Sequence, residues 1–210
     1  VSGASGTPYA AAVLRALLDA GESVDLVVSR ASRLTLLDET GISYRDAHWQ
    51  DDLREWLARG ADGKPGTFQP AVDAVRHWSA GDLAAGPSSG SYPAKGMIVV
   101  PASTACVAGI ALGLSKDLLQ RAASVTLKEG RKLVVAVRET PLNGQTLRHL
   151  VTLDDLGAAV VPASPGFYAG ATHIQDLVDF VAGRVLDSAG VPHGLYRRWK
   201  GDLGGSRTAT

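Results

Sequence analysis

From Tyr9 to Ala20, apolar side chains recur at Val13, Leu14, Leu17 and Leu18, the spacing of one helix face, and Gly21 supplies a stop. Val24 to Val28 then reads as a strand, with Ser29 capping a second helix that runs to about Thr40. Ahead of the first helix, Val1-Ser2-Gly3-Ala4-Ser5-Gly6 reads as a strand end entering a glycine-rich turn, which predicts a few strand residues before Val1. The rhythm blurs over residues 45–95. That stretch holds a polar helix (Asp51 to Arg59), a Gly/Pro loop (Gly60 to Pro70), a further possible helix and the loop Gly86-Pro87-Ser88-Ser89-Gly90-Ser91. Regular alternation then returns: strand 97–101, helices 103–113 and 116–128, strand 132–137, helix 143–156, strand 158–162 and helix 173–188. Near-continuous apolar strands alternating with helices predict an α/β fold, a parallel sheet covered on both faces. With 210 residues and no repeat or long linker, the chain reads as one domain, 45–95 being an insert and loop region and 200–210 a flexible tail.

The uncharged run Gly96 to Ser115 is long enough to span a bilayer, but it divides chemically. Met97-Ile98-Val99-Val100 is strand-like, Pro101-Ala102-Ser103-Thr104 a turn and helix start, and Val107 to Leu114 a helix of small residues, so a globular core is predicted. The N-terminus lacks a basic segment followed by an apolar one, and the expectation is a soluble, cytoplasmic protein. The balance of 21 Lys+Arg against 21 Asp+Glu argues against a nucleic-acid binder. The lone Cys106 excludes an intramolecular disulfide and a multi-cysteine zinc site, and the five scattered histidines show no metal-ligand spacing. No metal is expected.

Ligands of such a sheet bind at the carboxyl ends of its strands, where four stretches qualify. Ser2-Gly3-Ala4-Ser5-Gly6 lets backbone approach a ligand and opens a helix whose N–H groups can hold an anion, although a plain tight turn fits equally. Ser29 is a helix cap or a ligand, and Pro101-Ala102-Ser103-Thr104 opens another helix. Arg138-Glu139-Thr140 places a charge pair straight after a buried strand. Arg121 and Lys128 share a helix face, which is either a solvated stripe or half of a pocket. Convergence with Arg184 and with Tyr168 of Pro165-Gly166-Phe167-Tyr168 would make a cationic phosphate site.

Together with Asp38-Glu39-Thr40, Ser89-Gly90-Ser91, Asp117-Leu118-Leu119-Gln120-Arg121-Ala122-Ala123, Leu127-Lys128-Glu129 and Arg138-Glu139-Thr140-Pro141-Leu142, these stretches closely resemble the UbiX-type flavin prenyltransferases. The resemblance runs from residue 1 to about Trp199 and is weakest over 45–87, where this chain carries a longer, family-variable insert. It implies a three-layer Rossmann-like (flavodoxin-like) sheet of the homo-oligomeric flavin-containing decarboxylase type. It also implies an enzyme that joins a dimethylallyl group from dimethylallyl phosphate to N5 and C6 of reduced FMN, without a metal. The product, prenylated FMN, would serve a UbiD-type decarboxylase, and the assembly would be a homododecamer with sites between subunits. By that resemblance FMN lies against Gly3, Ala4, Ser5, Ser29, Ser103, Thr104 and Arg138. Dimethylallyl phosphate meets Ser89, Gly90, Ser91, Arg121, Lys128, Tyr168 and Arg184, some of them from a neighbouring subunit. Glu39 and Glu139 match acidic positions near the reacting groups, and Trp199 an aromatic that closes the pocket.

The residue types suit the chemistry. Arg121, Lys128 and Arg184 can neutralise a departing phosphate while Tyr168 donates a hydrogen bond. An aromatic wall such as Trp199 can stabilise an allylic cation, Glu139 or the released phosphate can take the final proton, and Ser5 can relay a proton or orient a phosphate. This chain has Pro101-Ala102-Ser103 where many relatives have Pro-Cys-Ser, and Ala105-Cys106 where Thr-Leu often follows. Cys106 reads as a packed thiol. Two alternatives stay open: an FMN-dependent cysteine decarboxylase of the same fold, whose His and Pro-Ala-Met-Asn stretch are not seen here, and a non-catalytic subunit that delivers flavin to a decarboxylase.

Overall fold

The computed structural model describes residues 1–66, 68–199 and 201. Helix α1 (Thr7–Asp19) is followed by strand β1 (Val24–Val27), α2 (Arg30–Thr40), α3 (Trp49–Leu57) and β2 (Val75–Trp78). The second half runs β3 (Gly96–Ala102), α4 (Thr104–Ala111), α5 (Leu118–Lys128), β4 (Lys132–Val137), α6 (Gly144–Asp155), β5 (Ala159–Pro162) and α7 (Ile174–Ala189). Helix starts shift by one or two residues from expectation for one reason. Ser103, Asp117, Asn143 and His173 have extended backbone and stand as caps just outside α4, α5, α6 and α7. The possible helix after residue 70 is instead the short strand β2. Its four residues pair in parallel with β1, Val24 opposite Val75 through Val27 opposite Trp78. The tail expected over 200–210 lies, apart from Gly201, outside the described residues.

All strand pairings are parallel, in a two-stranded group β1-β2 and a three-stranded group β3-β4-β5. Residues 1 and 2 stitch the groups together, as expected of a strand end. The Val1 nitrogen donates to the Val27 carbonyl (2.8 Å), Ser29 N–H donates to the Val1 carbonyl (3.0 Å) and Ser2 N–H donates to the Pro101 carbonyl (3.2 Å). The spatial order is therefore β2, β1, residues 1–2, β3, β4, β5. From residues 1–2 the chain builds outward first to one side and then to the other, so the switch point of the sheet falls on the turn that follows Ser2. Between β1 and β3, beside Val1, a cleft of about 910 Å³ opens, lined by such side chains as Val13, Leu14, Val24, Leu26, Ile98 and Val100.

The core divides by strand alternation. On β4, Val134 and Ala136 face α1, α3 and α7, whereas Leu133, Val135 and Val137 face α4, α5 and α6. Each fully buried Val or Leu contributes roughly 1.5–3 kcal/mol, so both layers are integral to the fold. The consequence for function is that α7 and α5 stand on opposite faces of the sheet.

Candidate active site

At the switch point Ser2, almost fully buried, locks the first turn to the third strand. Its hydroxyl donates to the Pro101 carbonyl (2.9 Å) and accepts from Ser103 N–H (2.8 Å). Gly3 packs on α2 so closely that a Cβ would stand 2.4 Å from the Ala31 Cβ. Gly6, the cap of α1, has φ +118°, a conformation open to glycine and strained for other residues. Ala4 is buried and Ser5 exposed. The Ser5 carbonyl accepts from Arg138 Nε (3.0 Å), which ties the end of β4 to this turn. Beside it, Ser29 caps α2 by accepting from Ser32 N–H (3.1 Å), and Ser103 caps α4 by accepting from Cys106 N–H (3.2 Å). The first N–H groups of α2 and α4 have no intrahelical acceptor and carry the positive ends of two helix dipoles. Gly3, Ala4, Ser5, Ser29, Ser103, Thr104 and Arg138 thus come together on one edge.

The N-terminus of α1 is already taken by an anion of the chain itself. Glu39 accepts from Gly6 N–H (2.9 Å), Thr7 N–H (2.8 Å) and the Thr7 hydroxyl (2.6 Å). Partial burial works against its charge, but hydrogen bonds from Thr7, Ser5 and the two backbone N–H groups outweigh it and hold the carboxyl below the usual range. The starts of α2 and α4, by contrast, are capped by the hydroxyls of Ser29 and Ser103. Glu139, next to Arg138, is exposed, with its carboxylate accepting from Thr140 N–H (3.1 Å).

A second group lies along α7. The Tyr168 ring meets Phe180 edge-on at 5.4 Å and Trp199 edge-on at 6.2 Å. Arg184 is exposed on the same helix, and the Tyr196 hydrogen bond and the Asp187 charge help to raise its pKa. A third group lies on α5. Arg121 Nε donates to the Ser88 carbonyl (3.0 Å), Lys128 pairs with Glu129, and a Cβ on Gly90 would reach both of those side chains. Ser89 and Ser91 share a hydrogen bond of 2.9 Å. The loop is fastened by Arg131, which donates to the carbonyls of Gly90 (2.7 Å) and Tyr92 (3.0 Å).

Within one chain the cations do not converge. Arg121 and Lys128 belong to α5, and Arg184 and Tyr168 to the α7 side, across the sheet. Lys128 also precedes β4 while Arg138 follows it, and a six-residue strand spans roughly 20 Å. The sequence reading missed Ser2, Thr7, Arg131 and Asp187. Ser2 stands within the glycine-rich turn, Thr7 and Arg131 act through partners distant in sequence, and Asp187 gathers side chains of the segment that folds back after α7. Among the described residues there is no cluster of potential metal ligands and no helix long and apolar enough to cross a membrane. The Cys106 thiol is buried and its pKa is pushed up to about 11, chiefly by burial, which suits packing.

A family model described as Flavoprotein matches residues 1–186, which gives the class that the switch-point architecture defines. The flavin prenyltransferase UbiX of Streptomyces coelicolor is 88% identical over 207 residues, covering 99% of this chain and 96% of that protein. The flavin prenyltransferase UbiX of Synechocystis is 40% identical over 205 residues, 98% of this chain and 96% of that protein. Among solved structures, AnUbiX (PadA1) in complex with FMN and dimethylallyl pyrophosphate matches with TM-score 0.78 and 35% identity, over 95% of this chain and 94% of that one. A dodecameric FMN-dependent UbiX-like decarboxylase from Escherichia coli O157:H7 matches with TM-score 0.78 and 36% identity, over 95% and 96%. Within the flavoproteins, the chain belongs to the UbiX family of flavin prenyltransferases.

Proposed function

We propose that the chain joins the dimethylallyl group of dimethylallyl phosphate to N5 and C6 of reduced FMN, making prenylated FMN. The observation that carries this reading is the 88% identity, along nearly the whole chain, to a flavin prenyltransferase. The switch-point edge supports it by the chemistry of its donors: two hydroxyl-capped helix N-termini and one guanidinium suit an anionic flavin. The chain acts as one flavin-binding domain, since both core layers share β4.

Ser29, Ser103, Thr104 and Arg138 would hold FMN, with Gly3, Ala4 and Ser5 forming the floor beneath it. When bound, reduced FMN supplies the electron-rich ring positions that are alkylated. Arg121 and Lys128 neutralise the phosphate as the allylic C–O bond breaks, and Ser89, Gly90 and Ser91 shape its seat. Tyr168 donates a hydrogen bond to the phosphate, Arg184 adds charge, and Trp199 walls the cation. Glu39, held ionised at the α1 N-terminus, orients Ser5 so that its hydroxyl can relay a proton, and Glu139 or the released phosphate accepts the proton lost at C6. Because α5 and α7 lie on opposite faces, one complete site draws Arg121 and Lys128 from one copy and Arg184 and Tyr168 from another. That requirement, and the dodecameric relative, support a homododecamer. The product would pass to a UbiD-type decarboxylase, and the chain would work in the cytoplasm, where its lone thiol stays reduced.

The test is incubation of the purified protein with reduced FMN and dimethylallyl phosphate, followed by mass spectrometry of the extracted flavin. The expected flavin carries one added dimethylallyl unit. Unmodified flavin contradicts the proposal.

A further inference from the structure

We infer that Asp187 is a positioning residue for the donor side of the site. It acts through Arg184 and through the C-terminal segment that carries Trp199. The inference rests on the reading above and assigns a residue that the family resemblance leaves without a role.

Asp187 sits about one turn beyond Arg184 on α7, and its carboxylate collects four side chains. The Tyr196 hydroxyl donates at 2.6 Å, Arg198 at 2.7 Å, His193 Nε2 at 3.1 Å and Arg184 Nη1 at 3.3 Å. Burial opposes its charge, but the hydrogen bonds of Arg198, Tyr196 and His193 prevail and depress its pKa strongly. The His193 side chain is only 2% exposed. Its Nδ1 accepts from Leu195 N–H (3.2 Å), so the proton of the neutral ring belongs on Nε2, facing Asp187. The segment rests directly on α7 at Gly183, where a Cβ would fall 2.5 Å from the Tyr196 ring and 2.7 Å from that of His193.

From this clasp an aromatic series leads to the site. Tyr196 meets Phe180 at 5.0 Å, Phe180 meets Tyr168 at 5.4 Å, and Tyr168 meets Trp199 at 6.2 Å. Seating Tyr196 therefore sets both Tyr168, which donates a hydrogen bond to the phosphate, and Trp199, the wall. The charge count fits as well. Two guanidiniums share one carboxylate, which orients Arg184 yet leaves the group net cationic toward a phosphate dianion. A residue that merely stabilised α7 would have no reason to grip Arg184 and the Trp199 segment together.

The test compares Asp187→Asn and Tyr196→Phe with the unaltered chain by three readouts. These are tryptic cleavage after Arg197 and Arg198, FMN affinity from flavin fluorescence, and KM and kcat for dimethylallyl phosphate. Losing a charge-assisted clasp should speed cleavage about fivefold and raise the KM about tenfold in Asp187→Asn, with kcat changed less than about threefold. FMN affinity should stay within about twofold of the unaltered value, because the FMN edge lies at the switch point. Tyr196→Phe, which deletes one hydroxyl, should move cleavage and KM the same way by less. It decides the matter if Asp187→Asn does not fold. Wild-type cleavage and KM in Asp187→Asn, or faster cleavage with an unchanged KM in either variant, would overturn the inference. If the unaltered chain makes no prenylated flavin, the proposed function fails by itself, while the cleavage and FMN arms still judge the clasp.

Discussion

At Glu39 the fold and the proposed chemistry rest on one side chain. Its carboxylate closes the N-terminus of α1 and stands beside Ser5, so replacing it should cost stability as well as turnover. Glu39→Gln is expected to destabilise the protein by about 1–2 kcal/mol, the charge-assisted range discounted for partial exposure. Urea unfolding at neutral pH checks this, and an unchanged midpoint would contradict it. The sign with pH follows from the lowered folded-state pKa. The Glu39 contribution is complete above the ordinary carboxylate value and is lost as pH falls through the depressed one, so the variant should differ from the parent at pH 7 and converge with it in acid. Gly3 gives a second residue-scale expectation. Gly3→Ala places a methyl group 2.4 Å from the Ala31 Cβ, an overpacking cost of about 1–3 kcal/mol, and should weaken FMN binding as the turn shifts. Flavin titration and thermal melting read the two effects separately. At this scale the sequence was legible where a residue acts locally. Ser29 and Ser103 could be placed because each follows a strand and caps a helix. Arg131 and Asp187 could not, because their partners are backbone carbonyls of a remote loop and side chains of a folded-back tail.

Among the elements, the helices were readable because the sheet imposes a one-sided burial that leaves its period in the sequence. Strand β2 was not. Val75-Arg76-His77-Trp78 is four residues long with half its positions polar, and it is a strand because β1 is there to pair with it. Helix placement also revises the meaning of the shared face of Arg121 and Lys128. Their stripe faces the loop that carries Ser89, Gly90 and Ser91, with Arg131 fastening that loop from below. The division of labour predicted from this is sharp. Lys128→Ala or Arg121→Ala should abolish prenyl transfer while the purified protein keeps its yellow flavin, since α5 lends no side chain to the switch-point edge. Loss of the flavin from either variant, seen in its absorption spectrum, would contradict the separation.

For the whole molecule, the decisive property is one that no local pattern contains. Parallel strands with helices on both faces put α5 on one side and α7 on the other, so within one chain Arg121 and Lys128 stand apart from Arg184, and the proposed mechanism needs a second copy to unite them. The zero net charge is consistent with this arrangement, because the cations are distributed over separate faces and two of them are matched by carboxylates, Lys128 by Glu129 and Arg184 by Asp187. The most direct measurement of a site shared between copies is complementation. Lys128→Ala and Arg184→Ala chains, each inactive alone, would be co-expressed, purified as mixed assemblies and supplied with reduced FMN and dimethylallyl phosphate, and the extracted flavin weighed by mass spectrometry. Random mixing leaves roughly a quarter of the shared sites with both cations intact, so prenylated FMN should form at about that fraction of the unaltered rate. A mixture as inactive as its parents would contradict the account.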